Sequence, residues 1–358
     1  MPTIAQAQTG TAGAREARRT EHQVRIVTAA SLFDGHDAAI NIMRRILQAS
    51  GAEVIHLGHD RSVRDIVDAA VQEDAQGIAV SSYQGGHMEF FRYMVDLLRE
   101  RGAGHIKVFG GGGGTIIPEE IRELQAYGVS RLYHPEDGRR MGLQGMIDDI
   151  LAQCDYSPLD VAVPGASHRP GPDDWLALAR VITLAEALSD GSADPALADV
   201  LASLRTPPDV RPLAPVVGIT GTGGAGKSSF TDELVRRYAE DFPEAHVAVL
   251  SVDPTKQRTG GALLGDRIRF NALASGRVYM RSLATRGSGR SVSAALADAI
   301  DACQAAGFHL VLAETSGIGQ ADASIVDRVD VSIYVRAPEF GAQAELGKIG
   351  VIGVADLV

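Results

Sequence analysis

The string GTGGAGKSS at residues 221–229 fits G-x-x-x-x-G-K-[ST] through Gly221, Gly226, Lys227 and Ser228. An apolar run precedes it and an amphipathic run follows, so strand, loop and helix stand in the order that phosphate binding requires. Backbone N–H groups along Gly223, Gly224, Ala225, Gly226 and Ser229 would face polyphosphate oxygens at the helix start. Lys227 adds a point charge near the outer phosphates, and the Ser228 hydroxyl is a magnesium ligand of the expected type. Three acids stand at or just beyond the ends of apolar runs: Asp253 in VAVLSVDP, Asp266 in LLGDRIRF and Glu314 in LVLAETSGIGQ. Carboxylates so placed beside a phosphate loop complete a magnesium shell and couple a loop to the γ-phosphate. Lys227 and Glu314 are therefore the residues expected to act in nucleotide hydrolysis.

A second constellation lies near the other end. Residues 34–39 read DGHDAA after the run VRIVTAASLF. The His36 imidazole there can be a metal ligand, with Asp34 accepting its other ring N–H and fixing the tautomer; a surface-loop histidine beside an incidental carboxylate is the alternative reading of these residues alone. Ser81, Ser82 and Tyr83 end a later apolar run and lead through QGG to His87, while five glycines occupy 110–114. Glycine in such a place lets a large flat group come close to the backbone.

Both constellations need strands to carry them. Apolar runs at 24–30, 53–57, 77–80, 105–109 and 131–133 alternate with helix-like stretches at 38–50, 62–72, 88–101, 118–127 and 140–152. Five βα units of this kind predict a parallel sheet covered on both faces, a flavodoxin-like (Rossmann-type) α/β domain over 23–154. Ligands bind at the carboxyl ends of such strands, where His36, Ser81 and the glycines fall. Residues 155–213 are punctuated by prolines around a helix-like stretch at 175–188 and read as a structured linker. Strand-like runs at 216–220, 245–252, 277–283, 308–313 and 329–335, with helices at 227–240 and 291–306, predict a second, P-loop NTPase α/β domain over 214–358. A phosphorelay receiver would place a phosphorylatable Asp at the end of its third strand; this chain has serines there.

Composition narrows the classes further. Among 358 residues, 34 Lys and Arg stand against 45 Asp and Glu, a net charge of −11 that disfavours nucleic-acid binding. Two cysteines, Cys154 and Cys303, cannot build a disulfide framework, and free thiols suit a cytoplasmic protein. No apolar run reaches the roughly 18 residues of a membrane span. Residues 1–22 are polar, contain Arg15, Arg18 and Arg19, and read as a flexible tail rather than a secretory signal.

GTGGAGKSS, VDPTKQRTGGALLGDR and ETSGIGQ together resemble the G-protein chaperones of cobalamin-dependent acyl-CoA mutases. That resemblance covers 215–358 and implies GTP as nucleotide, with Ser228, Asp253, Asp266 and Glu314 serving Mg2+ and the switches. The family's guanine-reading Asn-Lys-x-Asp motif would follow the final ADLV. Residues 23–153 resemble the cobalamin-binding domain of mutases and methionine synthase, with its Asp-x-His-x-x-Gly, Ser-x-Leu and Gly-Gly signatures. The resemblance implies that His36 is the lower cobalt ligand and that Asp34 bonds to it. It also implies that Ser81 contacts the displaced nucleotide tail and that Gly111 and Gly112 make room for it. Ala39 stands where glycine is usual, and Tyr83, a cofactor-edge residue, stands where leucine is common. The two domains in one chain are similar to the N-terminal part of fused acyl-CoA mutases, in which a substrate-binding TIM barrel follows. The expectation is thus a truncated piece of such an isomerase that binds adenosylcobalamin and gates its loading by GTP hydrolysis. Expected partners are the mutase substrate domain, a cobalamin-delivering adenosyltransferase and a second copy in a homodimer. A stand-alone cobalamin carrier or sensor, a methylmalonyl-CoA mutase-type system and a small-molecule kinase are the alternatives.

Overall fold

The computed structural model describes residues 20–32, 38–162, 169–205, 212–256, 258–264, 266–286, 295–315, 325, 328–337 and 355–358. The predicted Asp34 and His36 lie outside the described residues. In the first half, β1 (Arg25–Ala30), α1 (Ala38–Ala49), β2 (Glu53–His56), α2 (Val63–Gln72), β3 (Gly77–Ser81), α3 (His87–Glu100), β4 (Lys107–Gly111), α4 (Pro118–Tyr127), β5 (Arg131–Tyr133) and α5 (Pro135–Cys154) alternate. Local chemistry sets several boundaries. Ser62 and Asp65 form a capping box at the start of α2, and Pro118 and Pro135 occupy first-turn positions of α4 and α5. Strands β1, β2 and β3 are buried along their whole length, which is why they read as continuous apolar runs rather than alternating ones. All pairings are parallel, in the order β5-β4-β3-β1-β2, the flavodoxin-like arrangement. Helix α5 starts earlier than the periodicity suggested, because it is broken at Gly142, which takes φ 70°.

The linker holds α6 (Pro158–Val161), α7 (Trp175–Asp190), a 3-10 turn at Pro195–Leu197 and α8 (Ala198–Arg205). The second half contains β6 (Val216–Gly221), α9 (Lys227–Asp241), β7 (Val247–Asp253), β8 (Ala262–Leu264), β9 (Val278–Ala284), α10 (Leu296–Ala306), β10 (Leu310–Thr315) and β11 (Val331–Val335). Five of these strands form a second parallel sheet, β11-β6-β10-β7-β9. The sixth does not. Strand β8 pairs in parallel with β2, opposite Glu53–Ile55, and extends the first sheet.

The two sheets share one hydrophobic cluster. It runs from Val27, Ile55 and Val67 through Leu178 and Ile182 of α7 to Leu250, Tyr279 and Ile300. Between them lies a set of buried charges. Arg25 donates to Glu53 Oε2 at 2.7 Å and to Glu186 Oε1 at 3.2 Å, and its Nη1 lies 3.4 Å from Glu73 Oε2. Arg281 donates to Glu186 Oε2 at 2.6 Å, and Arg267 Nε lies 3.4 Å from Glu73 Oε1. Arg286 donates to Glu53 Oε1 at 2.8 Å and to Asp190 Oδ2 at 3.0 Å, and takes a φ of 37° to do so. Four arginines thus face four carboxylates drawn from β1, β2, α2, α7, β9 and the loops beside them. Burial alone would push the Glu53 carboxyl up, but Arg286 and Arg25 hold it down at about 2. Arg25, Arg286 and Arg281 depress Glu186 in the same way, against its burial.

Removing one member strands the others in a low-dielectric interior, at a cost of about 3–5 kcal/mol. Arg25→Met should accordingly lower the unfolding free energy from urea titration by that much, whereas a loss below about 0.5 kcal/mol would mean that the network does not hold the fold. Because the folded-state carboxyls are depressed, their stabilisation is complete above the ordinary carboxylate range and is lost as pH falls from about 4.5 toward 2. Thermal midpoints should therefore drop steeply over that interval, and less steeply in Glu53→Gln.

Candidate functional site

On one face of the first sheet, at the carboxyl ends of β3, β4 and β5, a cavity of about 430 Å3 opens between α1 and α5. Its walls are mainly apolar, with Met43 and Leu47 from α1, Phe109 from β4, and Leu143, Met146 and Ile150 from α5. The break at Gly142 separates the first turns of α5 from the Leu143–Ile150 wall. Ser81, at the end of β3, lines the cavity, and its buried Oγ has no hydrogen-bond partner among the described residues. An unmet buried hydroxyl costs about 1–3 kcal/mol, so its place in a ligand-sized apolar cavity marks it as a contact for something that enters. Gly111 pairs between Ser81 and Tyr133. Gly112 stands where the chain permits no side chain, since a Cβ would meet the Ser82 carbonyl oxygen at 1.9 Å. Tyr83 is half-exposed at the rim, with its ring over Gly113. These residues fit a flat heteroaromatic group carried on a polar chain.

Sequence reading did not single out the α5 wall or the clamp beside it. His87 Nε2 lies 2.9 Å from Glu120 Oε2 and Nδ1 3.1 Å from the Gln84 carbonyl, tying the loop after β3 to the start of α4. The Ile117 N–H and His87 hold the Glu120 carboxyl below its usual range. The signal was present in SSYQGGH, where a histidine closes a glycine turn, but its partner lies 33 residues on.

The phosphate loop joins β6 to α9. Gly221 takes φ 142°, and a Cβ there would lie 1.9 Å from the Val335 carbonyl oxygen, so neither a side chain nor an ordinary backbone fits. Gly223, Gly224, Ala225 and Gly226 lead into Lys227 and Ser228 at the first turn of α9. Lys227 Nζ donates to the Gly221 and Thr222 carbonyls, both at 3.1 Å, and so lies over the loop. The Ser228 hydroxyl donates to Glu314 Oε1 at 2.8 Å, and the Thr231 hydroxyl lies 2.9 Å from Oε2. Glu314 is 1% exposed near the carboxyl end of β10, and Asp253 closes β7 beside it in the sheet. A hydroxyl and carboxylates at a helix N-terminus are the donor set that magnesium takes alongside phosphates. Asp266 opens a 3-10 turn, Asp266–Arg269, directly after β8. The residues between Thr315 and Ile325 that follow Glu314 lie outside the described set. Ser229 continues α9, one position beyond Ser228.

Fold and sites together define a two-part α/β protein, a flavodoxin-like sheet with a carboxyl-edge cleft joined to a P-loop nucleotide-binding sheet. Residues 178–358, half of the chain, match the family described as Methylmalonyl Co-A mutase-associated GTPase MeaB, and the chain belongs to that family. Residues 24–136 match the B12 binding domain. The chain is 61% identical over 340 residues to a fused isobutyryl-CoA mutase of Geobacillus kaustophilus, covering 95% of this chain and 31% of that protein. It is 59% identical over 349 residues to a fused isobutyryl-CoA mutase of Cupriavidus metallidurans, again covering 95% and 31%. A mitochondrial methylmalonic aciduria type A homolog of Caenorhabditis elegans is 36% identical over 143 residues, 40% of this chain and 36% of that one. The chain therefore spans about a third of the length of the fused relatives it matches, over their cobalamin-binding and GTPase portion. Among the described residues no helix is long and apolar enough to cross a membrane.

Gly112 and Gly114 provide a matched pair for checking the cleft. Gly112→Ala should destabilise by about 1–3 kcal/mol, because the Ser82 backbone cannot yield, while Gly114→Ala, with nothing within 4 Å of its Cβ, should be silent. Equal thermal midpoints for the two variants would contradict this packing.

Proposed function

We propose that this chain binds adenosylcobalamin in the cleft of the first sheet and Mg2+–GTP at the phosphate loop, and that GTP hydrolysis gates loading and protection of the cofactor. The reading is carried by one observation: a buried Ser81 hydroxyl without a partner among the described residues, in an apolar carboxyl-edge cavity and in the same cored unit as a phosphate loop whose Ser228 is already held by Glu314. His36 is assigned as the lower cobalt ligand, oriented by Asp34, and Ser81, Tyr83, Gly111 and Gly112 receive the cofactor's nucleotide tail. When bound, the corrinoid supplies a cobalt–carbon bond that can break homolytically.

On the nucleotide side, Gly221 through Ser229 wrap the phosphates. Lys227 leaves the loop carbonyls to neutralise the outer phosphate charge. Ser228, Asp253, Asp266 and Glu314 are the magnesium-side residues, Glu314 also orienting the Ser228 hydroxyl. With a mutase substrate domain, in the same polypeptide or another, this assembly would carry out the reversible isobutyryl-CoA/n-butyryl-CoA isomerisation of a cobalamin-dependent intramolecular transferase. A homodimer, an adenosyltransferase as cobalamin donor and a cytoplasmic setting complete the proposal.

Absorbance with added cobalamin tests the first half. The chain should give a base-off, His-on spectrum that His36→Ala loses, and an unchanged spectrum in that variant would remove the cobalt-ligand assignment. For the second half, Lys227→Ala should abolish binding of a fluorescent guanine nucleotide. Wild-type hydrolysis in that variant would sink the phosphate-loop role.

A further inference from the structure

The segment between β7 and β9 carries Asp266, yet it is built into the other sheet. Ala262, Leu263 and Leu264 of β8 lie opposite Glu53, Val54 and Ile55 of β2, and the Ala262 N–H donates to the Ala52 carbonyl at 3.2 Å. The Asp266–Arg269 turn follows within two residues and reaches the carboxyl ends of β1 and β2. Arg61 grips it there. Its Nη2 donates to the Ile268 carbonyl at 3.3 Å, its Nε to the Leu57 carbonyl at 2.7 Å, and its backbone N–H to the Ala30 carbonyl at 3.2 Å. Arg61 also forms a parallel bridge with Ser31, three residues before Asp34. Ile268 packs so tightly on Gly58 that a Cβ there would lie 2.7 Å from its Cδ1.

The other flank of the turn is anchored by Arg267. Its buried guanidinium donates to Gln72 Oε1 at 2.8 Å and to the Met280 carbonyl at 2.5 Å. Gln72 in turn donates to the Val278 carbonyl at 3.2 Å and accepts from the Met280 N–H at 3.3 Å. One short turn is therefore held on one side by the segments that follow β1 and β2, and on the other by α2 and β9.

We infer that Arg61 is a positioning residue that couples nucleotide occupancy to corrinoid occupancy, with Arg267 anchoring the turn on which it acts. The inference rests on the reading of Asp266 as a magnesium-side residue and of Asp34 and His36 as corrinoid-side residues. Any shift of Asp266 on binding Mg2+–nucleotide moves the Ile268 carbonyl and, through the Arg61 guanidinium, the Leu57 carbonyl, while the backbone N–H of the same residue holds the Ala30 carbonyl. By linkage, corrinoid binding alters nucleotide affinity by the same factor.

Hydroxocobalamin is titrated by absorbance with no nucleotide, with Mg2+–GDP and with a Mg2+-bound non-hydrolysable GTP analogue, and the nucleotides are titrated with and without hydroxocobalamin. The wild-type chain should show the same coupling factor in both directions, about 5–150-fold. In Arg61→Ala, a change at a partly exposed residue outside both sites, the factor should fall below about twofold while each ligand still binds alone. Arg61→Lys, which keeps the charge but not the fork, should be intermediate, and Arg267→Lys should weaken coupling likewise. Two outcomes overturn the inference: a wild-type factor of one with both ligands bound, or a full factor in Arg61→Ala. Failure of hydroxocobalamin or nucleotide to bind the wild-type chain at all would instead overturn the functional reading, and this inference with it.

Discussion

The interaction on which the structure depends is the buried exchange of charge between Arg25, Arg267, Arg281 and Arg286 and the carboxylates of Glu53, Glu73 and Glu186. Each of these ions would be expensive alone in an apolar interior, and none of the three glutamates has its full set of partners within one sheet. Glu53 lies in β2 and Glu73 directly after α2, Glu186 lies in α7, and Arg267, Arg281 and Arg286 lie in the turn after β8 and in or just beyond β9. The charges therefore act as a registry device: the two sheets bury them only in the relative placement seen here. Hydrophobic contact supplies the bulk of the adhesion, since one core cluster runs through both halves, but apolar surfaces slide more readily than matched ion pairs.

That registry places two carboxyl edges in a fixed relation. The apolar cleft opens on the edge of β3–β5, and the phosphate loop opens on the edge of β6, β7 and β10. The element shared between them is β8 with its following turn, a piece of the nucleotide half that completes the sheet of the other half. A chain built this way does not consist of a cofactor module and a switch module on a flexible tether. The linker makes the same point, because α7 lies against α2 on one side and α10 on the other, with Glu186 among the buried ions.

Much of this was legible in the residues. The phosphate loop announced itself through spacing, and the buried parallel strands through unbroken apolar runs, because both features are local. Strand β8 was invisible because Ala262–Leu264 is only three residues long and its partner β2 lies about two hundred positions away. The cavity wall from α5 was missed for a similar reason: Leu143, Met146 and Ile150 look like an ordinary apolar helix face until the Gly142 break turns them toward Ser81. The charge network did leave a trace that could have been read. Arg25 in VRIVTAA, Glu53 in EVIHL and Arg281 in VYMRSLA are charges inside apolar strands, and such charges require buried partners. Which partners they find is a property of the assembled fold.

The two halves form one cooperative unit, with both sites tied to a common core. Scanning calorimetry of the ligand-free chain tests it most directly. A single endotherm is expected, with calorimetric and van't Hoff enthalpies that agree. Two resolved transitions, with the cobalamin-type sheet surviving after the nucleotide sheet has melted, would contradict it.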